Sequence, residues 1–310
     1  MNQHTHRTVG ILLALVGACS LCAAPHAAES GRTVGPWVWS VSGGAVYQFD
    51  SDLSDAQGQF SVGRGFAQAS LGYAWNRRTS VSLSLGGGRS DYDFSPRATI
   101  GGEQPWDSIE DYRISIPLRF SPTERSSVIV IPSIRTSAAT NASLKDGRTE
   151  GVLAGISWDL SESLSIGPGL GWFSEIDGGS SAFPILLIDW KITDKWRLNT
   201  GRGFAASQGP GVTLNYQLAE KWSLGLAGRY EKTRFALDDS PLRAGSIGED
   251  KGLPLMLVLD YSPWPMTSFT AVVGAEFEGS LRLEDDRGRR IARSDFETAA
   301  VVGVSFTSRF

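Results

Sequence analysis

From residue 37 to the end of the chain, apolar and polar residues alternate in segments that are separated by turn residues. The segment Trp106–Phe120 shows the pattern clearly, because one parity is apolar and the other carries charges. Its apolar parity holds Tyr112, Ile114, Ile116, Leu118 and Phe120. Since successive side chains of a strand point to opposite faces, this period of two predicts strands with one apolar and one polar face.

Fourteen such segments follow one another, from Trp37–Phe49 to Phe296–Phe310, and helical periodicity is almost absent. Their connections alternate between short turns, such as "SES" and "TDK", and longer loops. This pattern is typical of an up-and-down antiparallel β-barrel of the outer membrane, with about fourteen strands and twelve as the alternative count. A soluble barrel or sandwich also has alternating faces, so alternation alone leaves that alternative open.

Aromatic residues recur at both ends of the predicted strands. Those at or near the short turns are Trp75, Phe120, Trp158, Trp190, Trp196, Trp222, Trp264 and Phe310. Those at or near the long loops are Phe49, Phe60, Phe94, Trp106, Phe183, Phe204, Phe235 and Phe296. Two such levels are typical of aromatic girdles at the two membrane interfaces. A general preference of aromatic residues for strands does not predict clustering at strand ends.

Charged residues fall on the parity opposite to the apolar one, and charge is costly in lipid, so these side chains are expected to face the lumen. The predicted lumen charges are Asp111, Arg113, Arg119, Arg135, Asp189, Lys191, Arg197, Arg229, Glu231, Asp260, Glu276, Glu278 and Arg309. Because both signs are present, two interpretations stay open. The charges tune permeation through a polar pore, or they pair into a network that fills a closed barrel.

The start of the chain is typical of a secretory signal peptide, predicted over residues 1–28 with cleavage near Ala27 or Ala28. A lipidation signal that ends at Cys19 is the rival interpretation of the same stretch. A short periplasmic segment, residues 29–36, is then predicted to precede an outer-membrane barrel over residues 37–310. The predicted leader holds both cysteines and all three histidines of the chain.

A mature chain without cysteine or histidine narrows the chemistry. It has no disulfide framework, no base for Ser-His or Asp-His hydrolysis and no histidine ligand for a metal. Loss of Arg7 with the leader changes the formal net charge from −4 to −5, which gives no reason to expect nucleic-acid binding. We therefore expect neither an enzyme nor a cofactor or metal site.

The last third of the chain contains "GVTLNYQLAEKWSLGLAGRYEKTRFALDD", "GEDKGLPLMLVLDYSP" and "GAEFEGSLRLEDDRGRRI" before its terminal strand. From Arg197 to Phe310, this resembles a family of bacterial outer-membrane β-barrel proteins of unknown function. The resemblance implies the fold and the location, and it carries no catalytic or ligand residues. Fatty-acid transport barrels also have fourteen strands, but residues 29–36 leave no room for their N-terminal hatch segment.

The final residues, "VVGVSFTSRF", predict a closing strand that pairs with the first strand and removes both edges of the sheet. Phe306 and Phe310 on this strand resemble the signal that the barrel-assembly machinery recognises. Both chain termini are expected on the periplasmic side.

The function expected from these patterns is a passive, porin-like channel for small solutes. A closed structural or surface-binding barrel that acts through its extracellular loops is the alternative, and a hydrophobic-compound transporter or an enzyme comes third. The expected partners are outer-membrane lipid, lipopolysaccharide and the assembly machinery, and the chain is expected to be a monomer.

Overall fold

The computed structural model describes residues 36–54, 58–100, 105–200, 211–237 and 246–310. The predicted leader with Cys19, and the predicted periplasmic segment up to residue 35, lie outside these residues. Among the residues that are described, no helix is long and apolar enough to cross a membrane. The strands are β1 (Trp37–Asp52), β2 (Gln59–Asn76), β3 (Thr79–Phe94), β4 (Ser108–Ser115), β5 (Leu118–Phe120), β6 (Ser126–Ala139), β7 (Arg148–Asp159), β8 (Leu164–Ser174), β9 (Ser180–Lys191), β10 (Trp196–Thr200), β11 (Gly211–Ala219), β12 (Trp222–Arg229), β13 (Glu231–Ala236), β14 (Ile247–Trp264), β15 (Thr267–Glu284), β16 (Arg290–Phe296) and β17 (Ala299–Arg309).

These seventeen segments form one closed antiparallel barrel of fourteen strands, as predicted. The two numbers differ because three of the fourteen strands are interrupted and each is divided into two segments. The interrupted strands are β4 with β5, β12 with β13, and β16 with β17. The closing strand β17 pairs with β1, and the pair Ser40–Arg309 lies at its end. Trp39 and Phe310 exchange backbone hydrogen bonds of 3.1 and 2.8 Å beyond that pair. The predicted closure is therefore confirmed, and neither β1 nor β17 is left as an edge strand.

The outer surface of the barrel is apolar. Large side chains of one parity are exposed on successive strands, as at Ile114, Leu186, Leu226 and Leu257. The aromatic residues near the short turns are also exposed, with Trp75 at 61% and Phe310 at 69%. An exposed apolar belt with a ring of tryptophan at one end is the surface expected of a barrel in lipid. We call the end with the short turns and both termini the turn end, and the opposite end the loop end.

The barrel narrows at the loop end, because β13 departs from β11 and crosses to β6. The pairing of β11 with β12 ends at Gly211–Arg229, and beyond it β13 continues along β14 only. At its tip, Ala236 forms a parallel bridge with Ala138 of β6. The two strands are the fifth and the eleventh of the barrel, so this bridge spans the interior. The result is a tube of nine strands, β13–β14–β15–β16–β1–β2–β3–β4–β6, which we call the neck.

The neck is filled by a hydrophobic core. Its members are Leu53, Phe60, Val62, Tyr92, Ala98, Ile100, Trp106, Ile109, Phe235, Leu237, Leu281, Leu283 and Phe296, none of which is more than 7% exposed. Rings of four strands or loops meet here: Trp106 and Phe235 lie 4.9 Å apart, and Phe60 and Phe296 lie 5.0 Å apart. Ala98 and Ile100 show that the loop between β3 and β4 folds into the neck.

This core corrects the predicted girdle at the loop end. Phe60, Trp106, Phe235 and Phe296 point into the neck and not toward lipid, and Phe94 packs against the same cluster. Phe183 lies on the inner wall lower in the barrel, Phe204 lies outside the described residues, and Phe49 is exposed as predicted. The predicted aromatic girdle at the loop end is therefore wrong for the residues that point inward, because the alternation along a strand does not distinguish its inner from its outer face.

Candidate functional site: the neck and the lumen

The strand register places the predicted lumen charges on one face of the barrel, with a single exception. The face opposite to the exposed apolar belt carries Asp111, Arg113, Arg119, Arg135, Asp189, Lys191, Arg197, Arg229, Glu231, Asp260, Glu276 and Arg309. The exception is Glu278, which is exposed and has a φ of 50°. It lies at a bulge, where β15 has one residue more than the facing part of β14, so the alternation shifts there.

Most of these charges pair with neighbours on the same wall and not across the lumen. Arg135 of β6 bonds to Asp111 of β4, and Arg197 of β10 forms two bonds of 2.5 and 2.6 Å to Asp189 of β9. Asp260 accepts a bond of 2.5 Å from the Thr270 hydroxyl on the next strand. Because both partners belong to adjacent strands, these pairs do not reach across the lumen.

A polar network does cross the barrel at the base of the neck. Asp250 of β14 accepts bonds from Arg64 of β2, at 2.8 Å, and from the Tyr92 hydroxyl of β3, at 2.7 Å. Arg64 also donates to the amide oxygen of Gln48 at 3.1 Å. A cavity of about 80 Å³ lies beside this network, and Glu231 and Glu276 also line it. The hydrophobic core above and the buried ion pair below together close the neck along its axis.

Sequence reasoning missed both charged partners of this network. Asp250 lies near the start of β14, which begins at Ile247, and it is absent from the predicted lumen charges. Arg64 lies on β2, on the same parity as Val62 and Phe66, which are both buried. A cation on an otherwise apolar inner parity was the signal that could have marked it as a partner for a buried acid.

The outer face of the neck carries a second cluster, which we call the Arg234 cluster. Arg234 of β13 bonds to Glu175 and Asp177 in the loop between β8 and β9, the latter at 3.1 Å, and to Glu284 of β15. Burial raises the pKa of Asp177, but the Gly179 amide and the Arg234 guanidinium outweigh burial, so this pKa lies below its usual value. The cluster ties the β8–β9 loop across the step between the neck and the lower wall.

Part of the inner face of the barrel below the neck, on β6 to β9, is apolar, although the sequence predicts a polar lumen. Six inward side chains on β6 to β9, which we call the apolar wall, are Ile131, Leu153, Phe173, Phe183, Ile185 and Leu187. All six are half-buried, whereas the neck core is almost fully buried. Strand β9 is thus apolar on both faces, since Leu186 is 53% exposed on the outside. The sequence analysis placed Phe183 among the loop-end aromatic residues and did not identify Ile185 and Leu187 as inward-facing.

A closed antiparallel barrel with an apolar outer belt defines the class as a transmembrane β-barrel, because closure satisfies every backbone group in lipid. No protein-family model and no curated protein matches the chain. An outer membrane channel from Pseudomonas putida F1 is similar in structure, with a TM-score of 0.51 and 9% identity over 91% of this chain and 100% of that chain. This likeness shows the fold, that of an outer-membrane barrel.

Two further solved structures are similar at lower scores. A Pseudomonas aeruginosa FadL homologue has a TM-score of 0.48 and 13% identity over 88% of this chain and 90% of that chain. The P. putida toluene transporter TodX has a TM-score of 0.46 and 9% identity over 89% of this chain and 90% of that chain.

Proposed function

We propose that the chain is a passive channel for small solutes in the bacterial outer membrane, with both termini on the periplasmic side. The observation that carries this proposal is the step at the loop end. The neck encloses nine strands and leaves the five strands β7 to β11 outside it. The interior beside those five strands therefore lies outside the plugged tube.

The path that follows from this geometry runs along the inner faces of β7 to β11 and not along the axis of the neck. Inward side chains on β7, β8 and β9 are half-buried, as expected where a wall faces accessible space. The hydrophobic core of the neck and its Arg64–Asp250 pair block the axial route. The inner charges Asp189 and Arg197 on this side pair with each other along the wall, so this pair does not bridge the path.

Conductance in planar bilayers and swelling of liposomes test the proposal directly. The folded, purified protein should produce ion conductance and should admit glycerol and small sugars. A disulfide between cysteines placed at Ala138 and Ala236, where β6 meets β13, should leave both readouts unchanged, because it locks only the neck. A folded barrel without conductance and without solute-dependent swelling would contradict the proposal.

The closed neck also favours a second function, a surface-binding barrel that acts through its loops. In that case the Arg234 cluster would serve to hold the β8–β9 loop in a fixed shape. The conductance assay distinguishes the two functions. A binding barrel should show no conductance, with or without the Arg234→Ala substitution. A channel should conduct, and its conductance should change when Arg234→Ala releases the β8–β9 loop.

A further inference from the structure

We propose that the apolar wall is a binding site for small, uncharged, apolar ring compounds within the lumen. This inference rests on the proposed channel function, since it names the class of solute that the lower path would hold. The charges next to the wall are each paired with an opposite charge: Arg135 with Asp111, Asp189 with Arg197, and Glu175, two residues beyond Phe173, with Arg234. The wall between them therefore offers apolar contact without a competing ion.

The six side chains form one continuous surface. The register aligns Ile131 with Leu153, Leu153 with Gly171, and Gly171 with Phe183 in one row across four strands. Directly opposed side chains on neighbouring strands, such as those of Ile131 and Leu153, lie within contact distance of each other. Gly171 has no side chain, and the Phe183 ring covers its position. Ile185 and Leu187 continue the same face toward the turn end. The surface is therefore a patch several side chains wide and not a set of isolated residues.

Glycines beneath the rings determine how the wall is shaped. A Cβ on Gly171 would lie 2.5 Å from the Phe183 ring, and a Cβ on Gly151 would lie 2.0 Å from the Phe173 ring. The rings can therefore lie over the strands, and they are nearly parallel, with 8° between their planes and 5.9 Å between their centroids. Such a flat pair presents an aromatic face into the lumen, suited to the stacking of another ring.

Enclosure limits what can occupy this surface. The wall lies inside a closed barrel, so a second copy of the chain or a folded partner protein cannot reach it. All six side chains keep part of their surface accessible, whereas the rings of the neck core are nearly fully covered. An apolar surface that is enclosed yet accessible is the usual character of a small-molecule site. The absence of ionisable side chains among its six members selects uncharged compounds.

Photolabelling of the full folded chain in detergent, with benzophenone as the apolar ring probe, tests this site residue by residue. Labelling at Phe183 and Leu187 should saturate with probe concentration and fall about tenfold when naphthalene is added in excess. Leu186 lies on the same strand and faces outward, so its labelling should rise linearly and resist competition. Equal, non-saturable labelling of the inner and outer residues would overturn the proposal.

Matched variants on one strand sharpen the result. Phe183→Ser should abolish the competed labelling of the wall, and Leu186→Ser should leave it unchanged. Gly171→Ala provides a second perturbation, because it displaces the Phe183 ring without adding polarity. A wall covered by a segment of the chain itself would remain unlabelled in the wild type, and that outcome also overturns the proposal. Heat-modifiable migration on gels verifies that each variant is folded.

The swelling assay separates this inference from the channel function on which it rests. Glycerol entry together with absent or non-saturable benzophenone labelling would retain the channel and refute the apolar site. Saturable labelling without any conductance or swelling would refute the channel and retain the site as a binding pocket.

Discussion

Replacing Phe60 by alanine tests whether a hydrophobic core closes the neck. The Phe60 side chain is fully buried, and its ring lies 5.3 Å from that of Phe94 and 5.0 Å from that of Phe296. Truncation of a buried phenylalanine costs about 3–5 kcal/mol, a figure that includes the lost contacts and the cavity left behind. The two ring pairs that are lost contribute about 1 kcal/mol each, which favours the middle or upper part of this range. We therefore expect the free energy of unfolding to fall by about 4 kcal/mol.

The assay is chemical unfolding of the barrel in detergent, followed by tryptophan fluorescence. Phe49→Ala is the matched control, because the same girdle prediction included Phe49 and its side chain is 45% exposed. That variant should lose less than about 1.5 kcal/mol. The cavity in the Phe60 variant should also raise ion conductance through the neck. Equally small losses in both variants would refute the core and return Phe60 to a lipid-facing position.

Three further predictions concern the wall, the loop and the chain end. Gly171→Ala should destabilise the barrel by about 1–3 kcal/mol through the displaced Phe183 ring, whereas Gly63→Ala, where the added Cβ meets only one atom at 3.8 Å, should not; unfolding curves compare them. Since the pKa of Asp177 is lowered from 3.8 by folding, its contribution is complete above that value and lost as pH falls through the folded pKa. Proteolysis of the β8–β9 loop should therefore accelerate below about pH 4, and a constant rate down to pH 2 would contradict this. Deleting Phe310, or appending a charged tail, should reduce the amount of heat-modifiable barrel in the outer membrane more than it reduces total expression. A normal amount of assembled barrel would contradict the role of Phe310 in assembly.

The charges of the candidate site show when counting alternate residues correctly predicts the face of the barrel on which a side chain lies. Counting alternate residues placed Asp189 and Arg197 on one face, and the register agrees because β9 and β10 pair without a bulge in that part. Glu278 departs from the count because an extra residue in β15 shifts the alternation. A bulge depends on how two strands fit together, so single-strand periodicity does not contain it.

The apolar wall and the Arg64–Asp250 pair could not be predicted from the sequence, because each depends on which strands meet inside the barrel. Arg64 and Asp250 are separated by 186 residues in the chain and lie on opposite sides of the neck. Local pattern identifies which residues share a face of one strand. It does not identify which strands meet across the interior, so the pairing of a buried charge has no local signature.

The amino-acid sequence by itself determined the strand content, a count of about fourteen and the closure of β17 onto β1, because each depends on period-two alternation and on turn lengths within neighbouring segments. Only the tertiary structure decided what lies inside. The crossing of β13 to β6 turns the loop-end aromatic residues into the core of a neck and leaves β7 to β11 as a separate wall. The physical reason is that alternation is symmetric: it separates two faces of a strand, and only long-range packing assigns one of them to lipid and the other to the interior.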